Sequence, residues 1–258
     1  MTLSTTKDSF FISFTELISD SDIPEQFLIS DNTTPHPLCV IAAEDLQQHL
    51  QNQQDWIHNF GLSPATDEGT IIGKMFGVLV VKTNENQIGY LAAFSGKLAG
   101  GNHHAKFVPP VFDGLTDQSF LNNGMQKLTR INEQIKKLEQ SEPNGFEEEV
   151  EQLKVLRKNN SIALQTQLFE SYHFLNQNGE GKSLNAIFKE ASRKNPPSGA
   201  GECAAPKLLQ YAFQHQMKPL ALAEFWWGQS PKSDFWKHKH FYSPCKEKCE
   251  PILAHMLS

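Results

Sequence analysis

GECAAPKLLQYAFQHQMKPLALAEFWWG, at residues 201–228, is the stretch that decides the fold. A helix is predicted to open at Glu202 or Cys203, because a loop rich in proline and glycine comes directly before it. The apolar run from Leu220 to Trp227 has the length and composition of a strand, and Gly228 closes it. The stretch therefore predicts a helix followed by a buried strand.

A second cysteine-bearing block, SPCKEKCEPIL, lies further along the chain, and a short helix is predicted over 245–256. Cys245 and Cys249 are four residues apart, so on a helix they share one face. Together with Cys203, these thiols can occupy three corners of a zinc tetrahedron, and His240 is the candidate fourth ligand. The sequence thus offers a structural zinc site that joins the two helices.

The same cysteines also fit a simpler interpretation. Free cysteine is among the most buried residue types, and these three can be small apolar side chains in the core. Structural zinc sites usually separate paired cysteines by two residues, whereas here three intervene. His238 and Cys39 are alternative fourth ligands. Both interpretations, zinc and buried thiols, stay open at this point.

Charge is distributed unevenly along the chain. The net charge of −6 argues against nucleic-acid binding by the whole surface, yet residues 231–248 carry five lysines. Lysines beside stacking rings are typical of single-strand RNA binding. The alternative is a solvated loop with rings packed beneath it. The candidate RNA-binding residues are Lys232, Trp236, Lys237, Lys239 and Phe241.

Several features indicate the cellular compartment. No apolar run approaches the ~20 residues that cross a bilayer, so no membrane partner is expected. The beginning of the chain, MTLSTTKDSFF, does not have the pattern of a secretory signal. Four widely spaced cysteines favour a reducing compartment. We expect a cytoplasmic protein.

The first half of the chain predicts an α/β core. Residues 1–34 resemble an arm wrapped on that core, and apolar spacing predicts a helix over 38–50. Residues 61–70 read as a turn-rich loop. The β-rich runs 74–83 and 88–96 predict a hairpin, because a polar turn separates them.

Composition changes near residue 120. Apolar residues at three- and four-residue spacing predict two long helices, which form an antiparallel helical hairpin over 121–176. We expect a coiled-coil arm inserted into one α/β domain, built from 1–120 plus 177–258 around a mixed or antiparallel sheet. Such an arm can bind a partner, but most often it is only a projecting stalk or a dimer contact. The segment 176–183 reads as a loop, and its Gly-Lys-Ser lacks the earlier glycine of a phosphate loop.

The order of GECAAPKLL, an apolar strand and SPCKEKC resembles the metal-binding helices of zinc deaminases. Those enzymes carry a glutamate two residues after the first ligand, but Ala205 stands there in this chain. Glu202 precedes the cysteine and is expected to point elsewhere, and Glu224 lies on the strand. A structural relative of that fold is therefore expected rather than an active deaminase.

Five blocks also carry a resemblance to a family of RNA-modifying enzymes. They are PHPLCVIAAEDLQQHL (35–50), GYLAAFSGKLAGGNHHAKFVPPVFD (89–113), PPSGAGECAAPKLLQYA (196–212), AEFWWGQSPKS (223–233) and HFYSPCKEKCEPIL (240–253). Together they resemble the long N-terminal extension of some bacterial RluA-type pseudouridine synthases. The blocks cover most of the chain outside the predicted helical hairpin.

The resemblance implies an isomerase that converts uridine to pseudouridine in structured RNA, either ribosomal or transfer RNA, without a cofactor. The family's catalytic HRLD-like motif does not occur in these 258 residues, so no catalytic residue is assigned. The resemblance implies an accessory region that positions RNA while the chemistry takes place in a separate catalytic domain.

Overall fold

The structure is a computed structural model that describes residues 10–31, 34–62, 72–114, 119–141, 146–193, 195–231 and 234–258. Within these ranges the chain is mixed α/β, with six α-helices and a mixed sheet. The strands are β1 (Ile12–Ser13), β2 (Leu28–Ile29), β3 (Lys74–Lys82), β4 (Ile88–Phe94), β5 (His173–Leu175), β6 (Gly181–Ser183), β7 (Lys218–Trp227) and β8 (Phe241–Tyr242). The helices are α1 (Pro37–Asn52), α2 (Phe120–Ser141), α3 (Glu147–Ser171), α4 (Leu184–Glu190), α5 (Ala204–Gln214) and α6 (Glu250–Met256).

The main sheet is centred on β3, which pairs antiparallel with β4 on one side and with β7 on the other. Leu79 of β3 therefore lies opposite both Leu91 and Leu222. The strand order is β1-β4-β3-β7-β2, with β8 also paired to β7. Since β2 runs parallel to β7, the sheet is mixed.

Both faces of the sheet are buried. Val78 and Val80 of β3 face the layer that contains α1, whereas Leu79 and Val81 face the layer that contains α4, α5 and α6. A strand that is covered on both faces reads as a continuous apolar run, which explains the composition of these strands. The core is a three-layer arrangement of helix, sheet and helix.

The structure confirms the predicted hairpin as β3 and β4, the first helix as α1, and the strand at 220–227 as β7. Two predictions need correction. The last helix begins at Glu250 instead of Cys245, and the segment 176–183 contains β6. The predicted arm at 1–34 contributes the two short strands β1 and β2. Most of the predicted loop at 61–70 lies outside the described residues.

Helices α2 and α3 contact each other. Arg157 donates to Asn132 at 2.9 Å, and Nζ of Lys154 lies 2.9 Å from the carboxylate of Glu139. A small apolar cluster holds the contact and contains Ile131, Ile135 and Val150. The C-terminal end of α3 reaches the main core through Phe169.

Candidate metal centre

Three cysteines lie together at one end of the sheet. The sulfurs of Cys203, Cys245 and Cys249 are all within 4.8 Å of one another, and all three thiols are free. The Sγ atoms of Cys245 and Cys249 are 3.4 Å apart. Within the described ranges, this is the one group of three or more histidine, cysteine, aspartate or glutamate side chains that lie close enough together to hold a metal ion. His240 is not part of the group, contrary to its predicted role as fourth ligand.

Two segments bring the sulfurs together. Cys203 is the N-cap of α5, and Cys249 is the N-cap of α6. The main-chain N–H of Cys249 donates to the carbonyl of Cys245 at 3.1 Å, which forms a helical turn just before α6. Because residues four apart lie on the same side of such a turn, Cys245 and Cys249 face the same way, although α6 itself begins only at Glu250.

Helix α5 sits unusually close to the sheet at its first turn. A Cβ atom at Gly77 of β3 would lie 3.0 Å from the Cβ of Ala204 and 3.0 Å from Cδ1 of Leu208. Glycine therefore permits the close approach that sets Cys203 above the strands. The carboxylate of Glu224, on β7, accepts a hydrogen bond from the main-chain N–H of Ala205 at 3.0 Å.

The cysteines influence one another's ionisation. Hydrogen bonds with the thiols of Cys203 and Cys249 lower the pKa of Cys245 far below its ordinary value. The hydrogen bond with Cys245, together with burial, raises the pKa of Cys203, and hydrogen bonds with Cys203 and Cys245, together with burial, raise the pKa of Cys249. Burial also raises the pKa of Glu224 to about 7. A bound cation would favour ionisation of all three thiols, because metal ligands must be deprotonated.

The other candidate ligands lie elsewhere. His240 is exposed, and its carbonyl accepts from the main-chain N–H of Trp226 at 2.9 Å as the chain enters β8. Nδ1 of His238 accepts from the N–H of Gly228 at 2.9 Å. Cys39 is buried on the α1 face of the sheet, where burial raises its pKa to about 12. Pairing with β7 explains why residues near β8 do not reach the cluster.

A cleft of about 450 Å³ opens beside the cysteines. Cys203 and Glu202 both line it, although Glu202 was expected to point elsewhere. The Glu202 carboxylate accepts a hydrogen bond from the hydroxyl of Tyr172, which also lines the cleft. Asn102 comes from the glycine-rich loop after β4 and was not predicted as a site residue.

The predicted RNA-binding residues have mixed surroundings. Lys237 and Lys239 are exposed, whereas Trp236 is half-buried and stacks on Trp226 with ring centroids 5.1 Å apart. Phe241 packs edge-on against the ring of a β7 phenylalanine. Lys232 lies outside the described residues. Phe235 was not among the predicted RNA-binding residues, although it is 63% exposed. Its position in the lysine-containing segment of the sequence could have indicated it.

No helix in the described part of the chain has both the length and the apolar character of a membrane span. Comparisons with protein-family models, with curated proteins and with solved structures find no match for this chain.

Proposed function

We propose that Cys203, Cys245 and Cys249 bind one zinc ion as thiolates. The observation that supports this proposal is the mutual distance of their sulfurs, all within 4.8 Å. Zinc–thiolate bonds are about 2.3 Å long, so two sulfurs on one tetrahedral ion lie roughly 3.8 Å apart. The 3.4 Å between the sulfurs of Cys245 and Cys249 would have to widen slightly and any longer sulfur–sulfur distance to shorten, so only small displacements are needed to hold the ion.

The donor chemistry favours zinc over hard cations. Thiolates are soft ligands that select zinc, copper(I) or iron–sulfur clusters, whereas magnesium and calcium prefer oxygen. Cys203 also lies at the N-terminus of α5, an 11-residue helix whose dipole favours a thiolate. Three protein ligands leave the fourth tetrahedral position for water or for a ligand in the cleft. Ala205 replaces the glutamate of zinc deaminases, so we propose metal binding and not deamination.

Metal content tests the proposal directly. Protein purified with zinc and a reducing agent should contain about one zinc ion per chain, measured by mass spectrometry of the metal. Cys245→Ser should lose most of it, because its exposed thiol is a ligand that can be removed without opening the core. Cys39→Ala is the matched control and should keep its zinc. Full zinc content in Cys245→Ser, or none in freshly reduced wild-type protein, would contradict the proposal.

A second function is favoured by the surface at the same end of the sheet. Phe235 is 63% exposed and precedes the exposed Lys237 and Lys239 in the chain, and the N–H of Lys239 donates to the carbonyl of Trp226 near the end of β7. Exposed rings stack on unpaired bases, and lysines neutralise phosphates. With the resemblance to pseudouridine synthases, this supports an accessory region that positions RNA for a catalytic domain.

Binding of a labelled single-stranded RNA, followed by fluorescence anisotropy, tests this second function. We expect Lys237→Glu with Lys239→Glu to weaken binding and to reduce its salt dependence. Phe235→Ala should weaken binding about tenfold through lost stacking. Lys127→Glu, on the exposed side of α2, is the control. Unchanged binding in the double variant would contradict the role, and so would pseudouridine formation by the purified chain.

The helices α2 and α3 support a third element of the proposal, an antiparallel helical hairpin that is inserted into the α/β domain and mediates self-association. Met125, Leu156 and Ile162 leave apolar surface on these helices, at 53%, 46% and 52% exposure. Analytical ultracentrifugation should find that the chain associates and that a variant lacking 124–170 is monomeric. Identical monomeric behaviour of both proteins would reject the self-association.

A further inference from the structure

An exposed thiol and a buried thiol lie side by side in the cysteine cluster. Cys245 is exposed, whereas Cys249 is buried, with only 1% of its surface open to solvent. Their Sγ atoms are 3.4 Å apart, and both thiols are free. Redox-sensitive cysteines are typically accessible to solvent and lie next to a second cysteine that resolves the oxidised one. The pair therefore has the arrangement of a sulfur that is oxidised and a sulfur that resolves it.

The backbone of this turn permits a disulfide between the two residues. The N–H of Cys249 donates to the carbonyl of Cys245 at 3.1 Å, as in one turn of a helix. Cα atoms four residues apart in such a turn are about 6 Å from each other, because the rise is about 1.5 Å per residue. Disulfides join residues whose Cα atoms are roughly 4.4–6.8 Å apart. The two sulfurs can therefore reach bonding distance through rotation of their side chains.

An arginine fastens this turn to the end of α4. Nη1 of Arg193 donates to the carbonyls of Lys246 and Glu247 at 3.0 and 3.1 Å. Its Nη2 lies 2.8 Å from the carboxylate of Glu250, the first residue of α6. None of these contacts uses a sulfur atom. The turn should therefore keep its place when the two thiols are oxidised.

We propose that peroxides oxidise the Cys245 thiol and that Cys249 then forms a disulfide with it. With hydrogen peroxide, the Cys245 sulfur attacks one oxygen, so that an S–O bond forms, the O–O bond breaks and water leaves with the thiol proton. The Cys249 sulfur attacks the resulting sulfenic acid, so that an S–S bond forms, the S–O bond breaks and a second water leaves with the other thiol proton. The two cysteines lose two electrons, and the peroxide takes them up.

The disulfide removes two of the three proposed zinc ligands. Zinc is bound by thiolates, and a disulfide supplies none. Cys203 is then the one thiol left in the cluster, so oxidation should release the ion, and a dithiol reductant should restore the site. In the zinc-bound cluster the thiolates carry no protons, so the two waters take theirs from solvent. The release of zinc rests on the proposed zinc centre, whereas the disulfide does not.

Peptide mapping tests the disulfide. Reduced protein is treated with stoichiometric hydrogen peroxide, its remaining thiols are alkylated, and it is digested with trypsin. Lysines separate the two cysteines, so mass spectrometry should find HFYSPCK (240–246) joined to CEPILAHMLS (249–258), and a dithiol should separate the two peptides. Complete alkylation of both peptides overturns the proposal. So does a disulfide that instead joins either one to NPPSGAGECAAPK (195–207).

Two variants test the role of the exposed thiol. Cys245→Ser should react with peroxide about tenfold more slowly than wild-type protein, because the remaining thiols of the cluster are less accessible. Cys39→Ala, on the opposite face of the sheet, is the matched control and should form the disulfide at the wild-type rate. An unchanged rate in Cys245→Ser overturns the proposal. The wild-type peptide map decides the question even where a variant does not fold.

Zinc release, followed with a chromogenic chelator, separates this inference from the zinc proposal. Zinc should appear in step with the disulfide and return to the protein after reduction. Protein that contains no zinc when reduced but forms the disulfide overturns the zinc centre alone. Protein that holds zinc and forms no disulfide overturns this inference alone, and zinc that stays bound to the oxidised protein overturns the coupling between them.

Discussion

Replacing Lys207 by methionine tests whether a buried ammonium group fastens α5 to the end of β4. Lys207 is 3% exposed, and its Nζ donates to the carbonyls of Phe94 and Gly96, each at 3.1 Å. The Glu202 carboxylate lies 3.5 Å away, and the ammonium lies 5.1 Å from the centroid of the Phe94 ring. Methionine keeps the unbranched apolar stem but supplies no donor.

The size of the effect follows from these contacts. Each hydrogen bond from a charged donor contributes about 1.5–3 kcal/mol, and a desolvated cation–π contact about 2 kcal/mol. Removing the ammonium also removes the several-kcal/mol cost of its burial, and breaking a buried pair typically costs about 3–5 kcal/mol. The Glu202 side chain is 27% exposed and keeps its bond to Tyr172, so we expect the lower end, about 3 kcal/mol.

Urea unfolding followed by tryptophan fluorescence measures this loss, with the metal concentration held constant so that binding does not shift the result. Lys189→Met replaces an exposed lysine on α4 and should change the free energy of unfolding by less than about 0.5 kcal/mol. A loss below about 1 kcal/mol in Lys207→Met would refute the argument that the two carbonyls depend on the ammonium.

Three further predictions concern other parts of the fold. His58 accepts a hydrogen bond from the N–H of Phe60, and burial, with Lys74 nearby, lowers its pKa to about 4, below the unfolded value of 6.5. The contribution of His58 to the free energy of unfolding should therefore be fully present above pH 6.5 and fall by about 1–2 kcal/mol towards pH 4. The variant His58→Gln should not show this loss. A free energy of unfolding that does not change with pH over this range in the wild-type protein would contradict the prediction. Gly228 has φ +106°, and a Cβ there would lie 2.3 Å from the Phe60 oxygen, so Gly228→Ala should cost about 3 kcal/mol in urea unfolding, and a neutral result would exclude the clash. Ile135→Ala should cost about 3 kcal/mol and lower hydrogen-exchange protection in α2 and α3 but not in β3; loss of protection throughout would contradict a local role.

The central strands were predictable from the sequence because their signals are local. β3, β4 and β7 are apolar runs bounded by turns, and covering both faces makes such runs continuous. β1, β2 and β8 each have two residues and were missed, because a two-residue strand is defined by its distant partner and not by its own composition. Their positions follow only once β4 and β7 are known.

The candidate site shows the same division. The cysteine cluster could be predicted because the chain has only four cysteines and two of them, Cys245 and Cys249, are four residues apart. Asn102 and Glu202 could not, since ordinary polar residues become site residues only when a loop and a helix start converge. His240 is exposed and does not belong to the cysteine group, and its nearness in sequence to Cys245 could not reveal this, because its position is set by the hydrogen bond between its carbonyl and Trp226.

The pairing of β2 with β7 can form only late in translation, because the two strands are far apart in the sequence. Leu28 leaves the ribosome long before Ala221, the residue opposite it, has been translated. During that interval the outer edge of β3, which β7 will cover, has no partner, and exposed strand edges promote aggregation. Because the sheet cannot be completed until β7 has been translated, nascent chains should depend on chaperones during translation.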